Sequence, residues 1–486
     1  MTESNFNLPT QYRIDSVTIN GVDVIGLFQS IEIFESIYST GITGTIKIMD
    51  SDFAGFIENG GKKGGEPLEY IEPISFTFTN ALGEELIFDG YLSGMRDEVV
   101  KQKNKLYSID FVSQSIRNDD EVFIVRAYKD VPPEEIIEEC IDIIASQGGS
   151  SAGLKSQIIG RGEPMNFVAG RRKPTKVMTY VCDHASDTSG EGGSVSVEEG
   201  EQEGEAKGSG GFLCWETIDG YRFCSISQIK QIGNGGSNYP FNVFKDYEYT
   251  LANREKSLEE KMLEILEHQF PKMADYDDKR KSGANNHVLI TYDMDKGEYV
   301  ELSSVAEADK DTTKLQSEDN KNPTRYKTAI IQNEKMNGEC KLDKENDDEK
   351  DQTRKVSCQS LKSQTTFDDQ HGRFTLAPRF SMRAGDAIDV KIRKFLIGAG
   401  EGEEESAIDR KHSGMYIIQQ VGHHIFADGK AYTKIQSLRT LTDQTDDSAN
   451  EPSKTPANTS IPAPLRRPLP DSPTSIRRGN KILYGI

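Results

Sequence analysis

The sequence predicts a β-rich α+β protein built on two tube-like antiparallel β-barrel domains, with α/β insertions and an extended C-terminal arm. Three observations predict it. Short runs in which apolar and polar residues alternate fill the first part of the chain and return near its end. Gly, Asn and Asp clusters punctuate those runs. Between them lie segments whose apolar residues recur at helical spacing. Many short alternating strands separated by turns characterise antiparallel barrels and sandwiches. A change of period marks an insertion of another class.

Residues 12–19 and 22–27 flank Asn20-Gly21, a two-residue hairpin signal because both turn residues tolerate positive φ. Ile31 with Ile33, Ile46 with Ile48, and Ile74 with Phe76 and Phe78 share strand faces, as do Tyr107, Ile109 and Phe111. Near residue 130 the period changes. Asp130 is placed to cap a helix, Pro132-Pro133 suit its first turn, and Glu134 and Glu135 suit the positive end of its dipole. Ile136, Ile137, Cys140, Ile141 and Ile144 then form a stripe. After Pro174 a second helix carries Val177, Met178, Val181, Cys182 and Ala185 on one face. Residues 187–210 are mostly Gly, Ser and Glu and predict a mobile acidic loop.

Residues 212–218 and 221–226 predict a hairpin turning at Asp219-Gly220, with Ile218 facing Tyr221 and Trp215 facing Cys224. Both faces are largely apolar, so both are expected to be covered. Residues 257–270 read as a helix. From 274 to 370 only 287–292, 299–302 and 328–332 read as strands, and strands return from Gly372. The resulting division is a first barrel over 10–118 completed by 211–245, a helical α/β insertion over 119–186, and an acidic loop over 187–210. An α/β domain with charged loops over 246–370, the closing part of a second barrel over 371–441, and a Pro-rich arm over 442–486 follow. That arm holds seven of the 18 prolines and predicts an extended linker.

Lys and Arg number 58 against 79 Asp and Glu, a net charge of −21. That balance weighs against wrapping nucleic acid, which needs cations to displace counterions, and against an anionic membrane surface. It serves plain solubility, or a surface past which DNA slides without sticking. Cys140, Cys182, Cys214, Cys224, Cys340 and Cys358 include no CxxC pair, so neither a zinc site nor a redox pair is indicated. Their scattered spacing reads as reduced cytosolic thiols. Residues 1–11 lack a signal-peptide pattern. No run approaches the ~18–20 apolar residues that span a bilayer. The expectation is a protein made in a cytoplasm and used there or in a particle assembled there.

The catalytic motifs fail on context. Gly149-Ser150-Ser151-Ala152-Gly153 has the letters of a nucleophile elbow but lacks the preceding buried strand. Gly60 and Gly65 have phosphate-loop spacing, but Glu66-Pro67 stand where Lys and Ser or Thr are required. The adjacent His423 and His424 point to opposite faces of a strand and make no simple metal pair. The prediction is therefore no catalytic residue, no metal and no cofactor. The C-terminal segment does carry a functional reading: Pro462 to Pro470 suit a polyproline helix. Beyond them Ile476, Arg477, Arg478, Lys481, Ile482, Leu483, Tyr484 and Ile486 form a basic, apolar end suited to docking on a partner.

Several segments, taken in order, resemble baseplate hub proteins of T-even-type and related contractile-tail phages. They are Phe34-Glu35-Ser36-Ile37-Tyr38-Ser39 with Gly44-Thr45-Ile46-Lys47-Ile48-Met49-Asp50, then Asn166-Phe167-Val168 and Lys173-Pro174 with the helix to His184. Gly211-Phe212 to Gly220-Tyr221-Arg222-Phe223 and Ser225-Ile226 follow. Met382-Arg383-Ala384-Gly385-Asp386, Ser413 to Ile418, His423-His424 and Tyr432-Thr433 complete the series. The resemblance covers most of residues 10–440 and is weak between 275 and 370.

The resemblance implies two tube-like barrels per chain and a homotrimeric ring of pseudo-sixfold symmetry. The ring would join the sixfold tail tube to the threefold central spike and let DNA and the tape measure protein pass. Implied partners are the spike protein, tail tube or tube-initiator proteins, the tape measure protein and baseplate wedge proteins. Neither sequence-specific nucleic acid nor membrane is among them. The implied location is the virion tail baseplate, assembled in the host cytoplasm. The type VI secretion spike shares this architecture. In T-even phages the cell-wall hydrolase lies on the spike protein, in keeping with the absence of a catalytic motif here. The Pro-rich arm is not part of the pattern. Three alternatives stand beside this reading: a hub carrying a cell-wall hydrolase in residues 275–370, a hub of a phage-derived contractile injection device, and a carbohydrate-binding tail-fibre module. The last predicts surface aromatic clusters in a chain only 8% aromatic.

Overall fold

The computed structural model describes residues 6, 8–51, 55–59, 67–69, 71–101, 104–147, 156–185, 187, 195–199, 202–206, 211–230, 239–250, 256–272, 286–293, 298–305, 325–331, 370–393, 408–409 and 411–439. The first strands are β1 (Tyr12–Ile19), β2 (Val22–Asp23), β3 (Phe28–Ser36) and β4 (Thr43–Ser51). After the short α1 (Phe56–Asn59) come β5 (Pro73–Asn80), β6 (Glu85–Lys101) and β7 (Asn104–Ser113). They pair in the order β3-β4-β7-β6-β5-β1-β2, all antiparallel. Asn20 and Gly21 turn the first hairpin at φ 51° and 70°, the positive values a type I′ turn demands. The alternating Ile, Phe and Tyr residues of β3, β4, β5 and β7 face one core, where the Phe76 and Phe88 rings stack at 5.2 Å.

The insertion holds α2 (Gln114–Glu121), β8 (Ile124–Val131), α3 (Pro133–Gln147), β9 (Ser156–Ile158), β10 (Met165–Arg172) and α4 (Pro174–His184). Both helical stripes read from the sequence are buried in one core. Asp130 does not cap α3: it lies within β8, one residue before its end, at φ 56°, and Pro132 precedes the helix. The effective cap belongs to α4. The carboxylate of Asp119 accepts the Thr175 N–H at 2.8 Å and the Thr175 hydroxyl at 2.7 Å, placing an anion at a helix N-terminus. Within the expected acidic loop, β11 (Val195–Glu199) and β12 (Gln202–Ala206) pair as a hairpin. Composition alone hid the alternation of Val195 and Val197 with polar neighbours.

β13 (Phe212–Thr217) and β14 (Gly220–Ser225), followed by α5 (Ile226–Lys230), form a three-stranded sheet with β9. Its turn lies one residue earlier than expected, so each cross-strand partner shifts by two. Thr217 pairs with Gly220, and Trp215 pairs with Arg222, so Ile218 and Asp219 make the turn. The cause is tertiary: Ile218 packs on the first barrel's core and its N–H donates to Glu35 at 3.0 Å. Cys214 and Cys224 still lie on opposite faces, in separate cores. Residues 211–245 were expected to complete the first barrel. This hairpin instead has one face in the core of the insertion and the other against the junction described below.

The chain continues with β15 (Val243–Tyr249), α6 (Leu258–Met262) and β16 (Ile265–Lys272). The helix expected over 257–270 is thus one capped turn followed by a strand. Ser257 and Glu260 form a reciprocal capping box, but Ile265 is drawn into a barrel core by pairing with Leu376, and tertiary pairing overrides propensity. β17 (Asn286–Asp293), β18 (Glu298–Val305) and β19 (Arg325–Ile331) form a separate sheet. The last strands are β20 (Gln370–Leu376), β21 (Ala387–Ile392), β22 (Gly414–Phe426) and β23 (Lys430–Arg439).

Two rings of strands result, and they share one hairpin. β15-β21-β22-β23-β20-β16 run side by side, and a Glu248–Glu264 bridge brings β16 back to β15. β15 and β21 are parallel, as is the Glu248–Glu264 bridge, while the other pairs of this ring are antiparallel. The far part of β22 pairs with β3 from Gln420↔Ser36 to Phe426↔Ser30. Lys430 at the start of β23 bridges Gln11, and the Tyr12 hydroxyl donates to the Phe426 carbonyl at 2.7 Å. The β22–β23 hairpin therefore closes the first ring as well. Ile425 and Ala431 join the first core, whereas Ile418, Val421 and Ile435 join the second.

Candidate functional site at the junction of the two barrels

Where the rings meet, three segments converge: the end of β3, the β13–β14 hairpin, and the loop of residues 377–386 before β21. Glu35 lies near the end of β3, between Phe34 and Ser36. It is 1% exposed. One of its oxygens accepts the Ile218 N–H and the other the Ala384 N–H, both at 3.0 Å. Arg383 stands 3.9 Å away and forks onto Asp219 at 2.8 and 3.0 Å. Arg222 donates to Asp386 at 2.9 Å and to the Ala384 carbonyl at 2.8 Å, and its guanidinium lies 4.6 Å from the Phe241 ring centre. The same Ala384 carbonyl accepts the Trp215 indole N–H at 2.9 Å.

Gly385 is required between these groups. Its φ is 88°, and a Cβ there would lie 2.3 Å from the Trp215 ring. Its carbonyl accepts the Tyr239 hydroxyl at 2.7 Å. Burial pushes the Glu35 carboxyl up, opposed by the Arg383 charge and the two backbone donors. Burial likewise raises Asp386, opposed mainly by Arg222. The carboxylates are matched on every side by cations or N–H groups, as buried charges must be. The arrangement works as a buried cross-link.

A second buried carboxylate fastens the hairpin to the first barrel. Glu216 accepts the Ser113 hydroxyl at 2.6 Å and the Ile42 N–H at 3.2 Å. Burial pushes its pKa up to about 7. The Tyr221 hydroxyl donates to the Thr40 carbonyl at 3.0 Å. On the shared hairpin, His423 is buried with Nδ1 3.2 Å from the Thr433 hydroxyl. Burial and the nearby Arg383 charge lower its pKa to about 3, so the ring is neutral. His424 lies on the opposite face, 3.6 Å from Glu32.

None of Glu35, Glu216, Arg222, Arg383 and Asp386 was assigned a role from the sequence, although Glu35, Arg222, Arg383 and Asp386 lie in the segments that carry the resemblance. A signal was present: each follows directly on an apolar or Gly residue. The predicted docking residues Ile476, Arg477, Arg478, Lys481, Ile482, Leu483, Tyr484 and Ile486 lie outside the described residues, as do Gly60, Gly65 and Gly149 to Gly153. Among the described residues, no group of three or more His, Cys, Asp or Glu side chains could hold a metal ion.

No family model matches the sequence, and no curated protein matches it. Solved structures do. The 43 kDa tail protein of prophage MuSo2 from Shewanella oneidensis is similar over 88% of this chain and 98% of its own, at 10% identity and a TM-score of 0.47. The tail protein from Neisseria meningitidis MC58 is similar over 88% of this chain and 97% of its own, at 8% identity and a TM-score of 0.48. The E. coli c3393 protein, a type VI secretion component, covers 89% of this chain and 78% of its own, at 9% identity and a TM-score of 0.39. These three are structures of two phage tail proteins and of a type VI secretion component.

Proposed function

We propose that the chain is the structural hub of a phage contractile-tail baseplate, and that it carries no catalytic activity. The observation that carries this reading is the pair of barrels in one chain, closed by a shared hairpin. A chain with two ring-like units lets three copies offer six such units around one axis. That count matches a sixfold tube on one side and a threefold spike on the other. The junction supports the same reading. Buried salt bridges and an interlocked hairpin fix one barrel against the other, which a load-bearing adaptor requires and an enzyme cleft does not.

In this reading the homotrimer binds the central spike, the tail tube or its initiator, the tape measure protein and baseplate wedge proteins. The basic, apolar end of the arm, Ile476 to Ile486, docks on one of these neighbours. The net charge of −21 keeps the inner surface from holding DNA. A peptidoglycan zymogram tests the non-enzymatic part. The purified chain leaves the gel uncleared. A cleared band at its mass would assign a lytic role instead, with residues 275–370 as the first place to seek it.

A further inference from the structure

The two-stranded sheet of β8 and β10 has one face in the insertion's core and the other in solvent. Ile124, Tyr128, Phe167 and Ala169 point inward. On the outer face Val125 pairs with Gly170, and Ala127 pairs with Val168. Val125 is 76% exposed and Val168 66%. Where a Gly170 Cβ would stand, nothing lies within 4 Å. Two neighbouring β-branched side chains left this open are unusual on a sheet face, and such patches mark interaction sites.

The rim of the patch is basic in an acidic protein. Lys129, Arg171 and Arg172, on β8 and β10 themselves, are exposed and have no acidic partner among the described residues. Arg171 adopts φ 52°, a left-handed conformation that costs a non-glycine residue energy. That conformation sets its guanidinium 5.2 Å from the ring of Phe123, itself 47% exposed. A cation and an aromatic ring thus stand together at the edge of the apolar strip.

We infer that this face docks the acidic surface of a second copy of the same chain. The argument is charge complementarity. The whole chain carries −21, so the residues outside this cluster carry a larger negative charge still. A basic, apolar patch on one copy meeting an acidic surface on the next is a head-to-tail contact, the type that closes into rings. The inference deepens the hub reading by assigning the contact between copies, and it rests on that reading only for the number of copies.

The test uses the full chain in solution. Its mass is measured at about 0.05 M and about 0.5 M salt, where screening of a charged contact differs strongly. Two double variants are compared, Val125→Glu with Val168→Glu, and Arg171→Glu with Arg172→Glu. All four positions are exposed, so melting temperatures stay at the wild-type value and separate lost contact from lost folding. The wild type assembles and loosens with salt, while both variants weaken assembly at least about tenfold and run at the 54.2 kDa of one chain. Variants that assemble as tightly as the wild type would overturn the inference and leave the ring with another contact. A wild type that stays a single chain at every concentration would overturn both.

Discussion

Glu216 and His423 are titratable groups buried without an opposite charge in hydrogen-bond contact, and each makes the fold's stability depend on pH. Glu216 keeps its proton to about 7 in the fold but loses it near 4.5 when unfolded. Its contribution is therefore complete below 4.5 and is lost as pH rises towards 7, on the order of 3 kcal/mol in all. His423 acts in the opposite sense. Its ring stays neutral to about 3 in the fold, against 6.5 unfolded. Its contribution is complete above 6.5 and is lost as pH falls. Glu216→Gln keeps an acceptor for the Ser113 hydroxyl and Ile42 N–H but cannot ionise. Urea midpoints followed from pH 4.5 to 7 should rise relative to wild type as pH increases. A constant difference would show that Glu216 is ionised throughout. Glu216 was legible only as an isolated charge, because the chain gives no local sign of which distant backbone amide a carboxylate will meet, whereas strand alternation had already put His423 and His424 on opposite faces.

Among the elements, the turn-bounded strands and the two insertion helices were legible from local pattern. Asn20-Gly21 and the two apolar stripes are local signals that no distant contact opposes. Where distant contacts compete, local reading failed. The 257–270 segment starts as a helix with good capping and becomes β16 because Leu376 pairs with Ile265. The β13–β14 turn moved by one residue because Ile218 is held by Glu35. The loop of residues 377–386 is the element that ties these parts together, through Arg383 above all. Arg383→Met leaves Glu35 buried without its cation and should cost about 3–5 kcal/mol. The loss is read by urea unfolding. The fluorescence of Trp215, the protein's single tryptophan, which donates to the Ala384 carbonyl, should shift at lower urea than the far-ultraviolet signal of the strands. Coincident transitions with an unchanged midpoint would mean the junction does not rest on Arg383.

In the whole molecule, the decisive feature was the least legible. β22 and β23 lie some four hundred residues from β1 and β3 in sequence, yet they complete the first ring as well as the second. No periodicity reports such a pairing, since alternation says which face of a strand is buried and not which strand lies beside it. The arrangement makes the two rings one mechanical body, with the salt-bridged loop as its lock. In the proposed hub, a rigid pair of rings lets a threefold assembly meet a sixfold one. The most direct measurement is the copy number of this chain in a tail particle, by reconstruction with side chains visible. The account predicts three copies in one ring, with six barrels around the axis. Six copies, or a single copy beside the axis, would contradict it.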